Sequence, residues 1–435
     1  MLSAAARPLV RLMDRYLPDP YIFVLLLTVV VFAAAIAVEG TGPVALARMW
    51  GDGFWSLLTF SMQMLLVLVT GYMLASAPPV KRRLAALAAT ATTPGAAIVM
   101  VSLVSLAASW INWGFGLVVG ALFAKELARV VRVDYRLLVA AAYSGFVVWH
   151  GGLAGSIPLA IATEGHAFQD RLGVIPASET TFAVFNLAIV AALFVAVPAV
   201  NRMMLPPPAE SVYVDPKLIE DAPEPDETNR RPADALENSR LLSWIVGAAG
   251  LLFLGLHFSG GGALTLNIVN FLFLSLAIVL HGTPRRLLIA LQEAVKGGAG
   301  IVIQFPFYAG IMAVMVGSGL AATVSNALVA LSTPATLPLW TFLSAGIVNI
   351  FVPSGGGQWA VQAPVIIPAA GALGVDQARA AMAIAWGDAW TNLIQPFWAL
   401  PMLGIAGLKA KDIMGFCLMH LLVTGAIIAI GLTWL

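Results

Sequence analysis

The chain has 435 residues, of which 60% are hydrophobic and only 10% charged, with a formal net charge of +1 and a mean hydropathy of +0.91. A soluble domain carries roughly 25% charged residues, so most of this chain must lie in lipid, and no basic run interleaved with aromatics offers a groove for nucleic acid. The one cysteine, Cys417, sits in an apolar run and excludes both a disulfide framework and a thiolate metal cluster.

In chain order, Arg7, Arg11 and Arg15 precede the apolar run Tyr21 to Val38. The run is read as an uncleaved first span, although Ala33 to Ala37 resembles a signal cleavage site. A hydrocarbon core of ~30 Å needs ~20 apolar residues per helix. Apolar runs bounded by charges, Gly and Pro predict further crossings near 54–76, 137–163, 182–200, 241–257, 266–280, 299–323, 377–405 and 413–433, nine with the first. Two other stretches, about 94–128 and 335–372, carry a polar, Gly-rich break at their centre and are predicted as re-entrant helical hairpins. Their breaks fall at Ser109-Trp110-Ile111-Asn112-Trp113-Gly114 and at Pro353-Ser354-Gly355-Gly356-Gly357-Gln358. Irregular backbone at membrane depth must be buried in protein or face a wet cavity.

Short cytoplasmic loops are enriched in Lys and Arg. With the N-terminus cytoplasmic, all but Arg48, Arg171 and Arg379 of the 23 basic residues fall inside. Reading either hairpin as a full span would invert every later loop and scramble this bias. Segment 206–240, with Pro206-Pro207-Pro208 and acidic residues from Asp221 to Glu227, is predicted as a cytoplasmic linker. The layout expected is therefore 1–53, an N-terminal cytoplasmic segment and first helix; 54–205, a first repeat; 206–240, the linker; 241–298, two scaffold helices; and 299–435, a second repeat of opposite orientation.

The repeat rests on order and on a weak match. Laying Asp134 on Asp376 places Gly145 on Gly387 and His150 opposite Asn392. Upstream, each copy has a hairpin with an Asn at its first bend, Asn112 or Asn349, preceded by a helix with a lone Gln, Gln63 or Gln304. Each copy reads helix, hairpin, broken helix, helix. The expected fold is thus an all-α polytopic membrane protein of inverted-repeat transporter type, with two re-entrant hairpins and two broken transmembrane helices.

Polar groups inside lipid are costly and mark cavity-facing sites. They concentrate in four places: Ser109 and Asn112; Asn349, Ser354 and Gln358 with Gly355, Gly356 and Gly357; Trp149-His150-Gly151-Gly152 before Pro158; and Gly387-Asp388-Ala389-Trp390-Thr391-Asn392 before Pro396. Helix N-termini at breaks stabilise an anion, while freed carbonyls and Asn oxygens coordinate a cation. Substrate-binding candidates are Asn112, His150, Gly151, Ser354, Gly355, Gly356, Gly357, Gln358, Thr391 and Asn392. Candidates for the coupling ion are Asp388, His150, Asn112 and Asn349. Each has a blander reading, His150 as a structural histidine and Asp388 as a member of a buried hydrogen-bond network. No tight metal site and no cofactor are expected; the coupling ion is a proton or a sodium ion, the latter near Asn112 and Asn349. Trp110, Trp113, Trp149, Trp359 and Trp390 flank the breaks and suit an apolar wall.

Three motifs together, Asn112-Trp113-Gly114-Phe115-Gly116, Trp149-His150-Gly151-Gly152 and Val352-Pro353-Ser354-Gly355-Gly356-Gly357-Gln358-Trp359, resemble the bacterial short-chain fatty acid transporter family over nearly the whole chain. That family is similar to the wider ion-transporter superfamily. The resemblance implies inverted repeats with paired hairpins, an elevator mechanism, an inner-membrane location, frequent homodimers and small monocarboxylate substrates such as acetoacetate or butyrate. The superfamily's dicarboxylate branch places Ser-Asn-Thr at both hairpin tips to hold sodium and carboxylate. Trp-Ile-Asn-Trp and Pro-Ser-Gly-Gly-Gly-Gln stand there in this chain.

The expected function is secondary active uptake of a short-chain monocarboxylate, with its carboxylate between the hairpin tips and the broken helices. No Walker phosphate loop is present, which argues against an ATP-driven pump. Competing readings are a carrier of another organic anion such as a dicarboxylate, a passive channel, and an intramembrane serine hydrolase with Ser354 as nucleophile and His150 as base.

Overall fold

The computed structural model describes residues 20–215, 219, 228, 231–296, 298–352 and 354–435, and among them every regular element is a helix. Prolines at the first turn, where a missing N–H costs nothing, open α2 (Pro43–Gly53), α4 (Pro78–Ala88) and α5 (Pro94–Ile111). Among the described residues six helices, two of them counted with the short segments that precede or interrupt them, are long and apolar enough to cross a membrane, and four more apolar helices are shorter.

All nine predicted crossings coincide with helices. They are α1 (Pro20–Glu39), α3 (Leu58–Ala75), α7 with α8 (Tyr135–Ser144, Ser156–Ile161), α10 (Val184–Met203), α12 (Arg240–Ser259), α13 (Leu266–His281), α15 (Ala299–Gly317), α19 with α20 (Gln377–Thr391, Pro396–Ala406) and α21 (Ala410–Trp434). The seventh ends earlier than 323, because Gly319 takes φ +91° and turns the chain into α16 (Leu320–Leu331). Hairpin one is α5 with α6 (Trp113–Val130), and hairpin two is α17 (Leu337–Phe351) with α18 (Gly355–Leu373). Sequence reading missed α2, α4, α14 (Pro284–Lys296) and α16, which are short, and the first three of which mix charge with apolar residues. Two minor helices, α9 (Gln169–Leu172) and α11 (Pro232–Glu237), complete the set.

The packing repeats itself. Helix α3 packs on α6 as α15 packs on α18, α4 on α6 as α16 on α18, α5 on α7 as α17 on α19, and α20 on α6 as α8 on α18. The correspondence extends upstream of the expected boundaries at 54 and 299, since α13 and α14 pack on α3 as α1 and α2 pack on α15. Helix α12 has no mate in this scheme. Local chemistry agrees: Asp134 accepts from the Leu137 amide at 2.8 Å to cap α7, and Asp376 accepts from the Arg379 amide at 2.7 Å to cap α19.

The whole acidic run, Asp221 to Glu227, and Pro353 lie outside the described residues. The linker's first part is held: Val212 donates to the Asp134 carboxylate at 2.7 Å, and the Tyr135 amide donates to the Val212 carbonyl at 2.8 Å. Its far end, α11, is tied to α14 by Arg285, which reaches Asp234 at 2.9 Å and Glu237 at 2.8 Å. The hydrogen bond to Glu237 holds the Arg285 guanidinium above the usual arginine range, and one from Arg231 to Asp234 at 2.9 Å does the same for Arg231.

Candidate functional site

Each hairpin tip is made by one polar side chain that ends one limb and starts the next. Asn112 has φ −157° and ψ 126°, and its Oδ1 accepts from the Phe115 amide at 2.9 Å to cap α6. Ser354 has φ −157° and ψ 118°, and its Oγ accepts from the Gly357 amide at 3.4 Å to cap α18. The geometric counterpart of Asn112 is therefore Ser354. Pairing it with Asn349 is corrected by the structure, because Asn349 lies inside α17 and its amide reaches sideways into the second broken helix.

That broken helix also differs from expectation. Residues 387–391 remain α-helical, and the break falls at 392–395. Gly387 serves close packing instead: a Cβ there would lie 2.4 Å from the Phe342 carbonyl oxygen and 2.5 Å from the Ala345 side chain. The first broken helix does open at its glycines, passing from α7 into a 3-10 segment, Gly145–Gly151, and then extended backbone before α8. Hairpin one holds this break in place. Trp110 Nε1 donates to the Gly151 carbonyl at 3.0 Å, the Leu153 amide donates to the Trp110 carbonyl at 2.7 Å, and Gly152 leaves only 2.1 Å between that carbonyl oxygen and a hypothetical Cβ.

The two breaks meet at one buried pair. His150 Nε2 lies 2.9 Å from Asp388 Oδ2, and neither side chain is exposed at all. Burial on this scale persists only where charge is paired or neutralised. Hairpin two closes over the pair: a Cβ on Gly355 would lie 2.4 Å from His150 Nε2 and 3.0 Å from the Trp149 ring. Beside it, Asn349 Nδ2 lies 2.9 Å from the Asp388 carbonyl, 2.9 Å from Thr391 Oγ1 and 2.8 Å from Asn392 Oδ1. One amide nitrogen, with two hydrogens, thus faces three oxygens.

The predicted residues divide accordingly. His150, Asp388, Asn349, Thr391, Asn392, Ser354 and Gly355 converge. Gly356 and Gly357 face away, toward Phe60 and Tyr308, where a Cβ would meet those rings at 2.2 and 2.4 Å. Gln358 spends its amide N–H groups inside hairpin two, on the Ala345 carbonyl at 2.8 Å and Gln362 Oε1 at 2.9 Å, so the expected donation to a carboxylate is not available from it. The Gly151 carbonyl is engaged by Trp110 and by Asn186 Nδ2 at 2.9 Å. Among the described residues no hydrogen bond couples Ser354 to His150.

Between the tips lies a narrow cleft of about 10 Å³, lined by Met64, Trp113, Trp149, Ser156, Phe305, Ser354, Gly355 and Trp398. That is room for about one water. A larger cavity of about 220 Å³ opens on the other face of hairpin two, beside Phe60, Gln63, Thr163, His166, Gly356 and Trp359. Sequence reasoning missed Trp398, Phe305, Met64 and Asn186, since an apolar wall carries no mark distinguishing it from core. Asn186, an unflagged Asn in an apolar run, was the one readable signal; it binds Trp386 Nε1 at 3.0 Å.

Several buried polar atoms around the cleft have no hydrogen-bond partner: Asn112 Nδ2, Ser109 Oγ, Trp113 Nε1 and Trp149 Nε1 among them, and Asp388 Oδ1, Asn349 Oδ1, His150 Nδ1 and Asn392 Nδ2 beyond. Native interiors leave few such atoms, and each asks for an explanation. Orphaned donors cluster at hairpin one and Trp149, and around Asp388 and Asn349 stand orphaned carboxylate and amide oxygens together with the nitrogens His150 Nδ1 and Asn392 Nδ2. An anion suits the first group and a cation the second.

Comparison with known proteins gives this geometry its context. The fold matches the solved YdaH transporter of Alcanivorax borkumensis (TM-score 0.59, 17% identity, covering 95% of this chain and 98% of that one). It also matches Neisseria gonorrhoeae MtrF, described as illuminating a class of antimetabolite efflux pumps (TM-score 0.56, 17% identity, 97% of each chain). Two curated relatives named "Putative short-chain fatty acid transporter" are similar over their full lengths and that of this chain, at 46% identity in Escherichia coli K12 and 45% in Haemophilus influenzae. The short chain fatty acid transporter family matches residues 1–435. With a helical architecture shared with solved transporters, a polar centre built from two hairpins and two broken helices, and family similarity along its whole length, this chain is a multi-pass membrane protein belonging to the short-chain fatty acid transporter family.

Proposed function

We propose that the protein is a secondary active transporter that takes up short-chain monocarboxylates of the acetoacetate or butyrate kind across the bacterial inner membrane, coupled to a cation, with its N-terminus in the cytoplasm. The observation that carries this reading is the buried His150–Asp388 pair bridging the two broken helices beneath the hairpin tip. No Lys or Arg lines the cleft, so an entering carboxylate must be neutralised by something that comes with it. A proton shared by the pair does this directly: binding it removes one negative charge beside the anion and makes the two ligands mutually stabilising, which is what coupling requires.

Sodium has support of its own. Turning the Asn349 side-chain amide would add Oδ1 to the three oxygens of Asp388, Thr391 and Asn392, an all-oxygen set suited to a hard cation. Asn112 is less well placed for this, since its Oδ1 already caps α6.

Movement would follow the elevator pattern, the hairpins and broken helices sliding against α3 and α15. Glycines and backbone carry the contact: a Cβ on Gly114 would meet Leu68 backbone at 2.9 Å, and one on Gly356 would meet Phe60 at 2.2 Å. A homodimer through the scaffold completes the reading.

The test is uptake of labelled butyrate into proteoliposomes carrying the purified protein, under an imposed proton gradient and then a sodium gradient. Saturable accumulation driven by one gradient supports the reading and names the ion. Non-saturating flux indifferent to both gradients would replace the carrier by a channel, and a dicarboxylate outcompeting butyrate would move the substrate class.

A further inference from the structure

We infer that the tryptophans of the cleft form the substrate's own pocket. The indole N–H groups of Trp113 and Trp149 hold the carboxylate, and the Trp398 and Phe305 rings set the alkyl chain length that fits. The inference rests on the monocarboxylate reading above and names the residues that would make it selective.

Trp113 begins hairpin one's second limb and Trp149 lies in the first broken helix, and each is only 2% exposed. A buried tryptophan ordinarily finds a partner for its N–H. Here both Nε1 atoms are buried without one, on rings packed edge to face with centroids 5.9 Å apart. Three tryptophans nearby do find acceptors: Trp110, Trp386 and Trp390 donate to the Gly151 carbonyl, Asn186 Oδ1 and the Leu421 carbonyl at 3.0, 3.0 and 2.6 Å. Trp113 and Trp149 both line the cleft with Ser354 and Gly355; Trp50 Nε1, which does not line it, is likewise buried without a partner. Leucine or phenylalanine would serve as an apolar wall without stranding a donor; an indole is useful where an acceptor arrives with the ligand.

Apart from Ser156 and Ser354, the rest of the pocket is apolar and largely aromatic. Trp149 stacks on Phe146 (5.5 Å, 10°), and Trp113 meets Trp398 edge to face (5.1 Å, 72°). Met64 and Phe305 close the wall. In this conformation the cleft has room for about one water, so a bound acid requires the Ser354–Gly355 tip to draw back. The volume gained is bounded by tryptophan and phenylalanine rings, which yield less than aliphatic side chains would. Such a pocket penalises longer chains.

The experiment is concentration-dependent uptake of acetate, butyrate and hexanoate by proteoliposomes of the wild type and of Trp113→Phe, Trp149→Phe and Trp398→Leu. Phenylalanine keeps the ring and removes only the N–H. A hydrogen bond to a charged acceptor corresponds to roughly tenfold or more in affinity. The expected result is therefore a KM raised about tenfold in each Phe variant, by the same factor for all three acids, with kcat little changed. Trp398→Leu should move preference toward hexanoate. A KM within about twofold of wild type for every acid in both Phe variants overturns the carboxylate assignment, as does a penalty that grows with chain length. An unchanged ranking in Trp398→Leu overturns the length gauge. Wild-type vesicles that accumulate none of the acids would overturn the transport reading itself, a result separable from the others because it needs no variant. If a Phe variant does not reach the membrane, wild-type tryptophan fluorescence titrated with butyrate and with 1-butanol decides: a saturable change with the acid alone supports the assignment, and equal responses overturn it.

Discussion

At the scale of single residues, the centre of the molecule is one pair. His150 and Asp388 are legible in the sequence as costly polar groups in apolar runs; their contact, across 238 positions of chain, is not. The pairing sharpens what each substitution should do. Asp388→Asn preserves size and a hydrogen-bonding group beside His150 but cannot exchange a proton. It should keep thermal stability within a few degrees while abolishing gradient-driven butyrate accumulation, measured by thermal denaturation in detergent and by vesicle uptake. His150→Leu instead strands a buried carboxylate. Breaking a buried pair this way costs about 3–5 kcal/mol, so this variant should show a clearly lowered Tm as well as lost transport. Equal stability in the two variants would mean that the pair is not held as a unit.

At the scale of elements, the hairpins and breaks were readable because glycine and proline punctuate long apolar runs, and the hairpin limits fall within about two residues of expectation. Which glycine makes a break and which makes a close contact was not readable, since both uses leave the same letter. Gly387 and Gly145 align in sequence, yet one sits in continuous α-helix and the other opens a 3-10 turn. Substitutions separate the roles. Gly116→Ala would drive a Cβ to 2.5 Å from Ser109 backbone and prise the limbs of hairpin one apart, and Gly152→Ala would strike the Trp110 carbonyl. Each should destabilise by about 1–3 kcal/mol. Gly255→Ala in α12 meets nothing within 4 Å and should be neutral or stabilise by about 0.5–1 kcal/mol. Thermal shift in detergent orders the three. Asp134→Ala removes both the cap of α7 and the linker's anchor at Val212. A loss of about 1–2 kcal/mol and faster proteolysis within 206–215 are expected, and an unchanged cleavage rate would mean that the linker is fixed elsewhere.

At the scale of the whole molecule, two copies of one packing plan face each other, and each copy's leading helices brace the other copy: α1 and α2 on α15, α13 and α14 on α3. This exchange ties the two copies together through α3 and α15, which also pack on each other. Opposite orientation of the copies predicts which loops face which side. In a Cys417→Ser background, chosen because that buried thiol is the only native one, Glu164→Cys should react with an impermeant maleimide on intact cells. Glu210→Cys should react only after the membrane is opened. The reverse pattern would invert the topology.

By itself the sequence determined the helical membrane architecture, the places of the long apolar helices, the two hairpins and the polar residues of the centre. These follow from local rules: apolar length against bilayer thickness, the positions of Gly and Pro, and the cost of polar groups in lipid. Only the tertiary structure decided that Ser354 rather than Asn349 is the counterpart of Asn112, that Gln358 is spent inside its own hairpin, and that His150 meets Asp388. It alone also revealed that Trp113 and Trp149 keep buried N–H groups without acceptors. Those are facts about which group satisfies which across hundreds of residues, and a hydrogen bond's partner is set by the packing of distant elements, not by its neighbours in the chain.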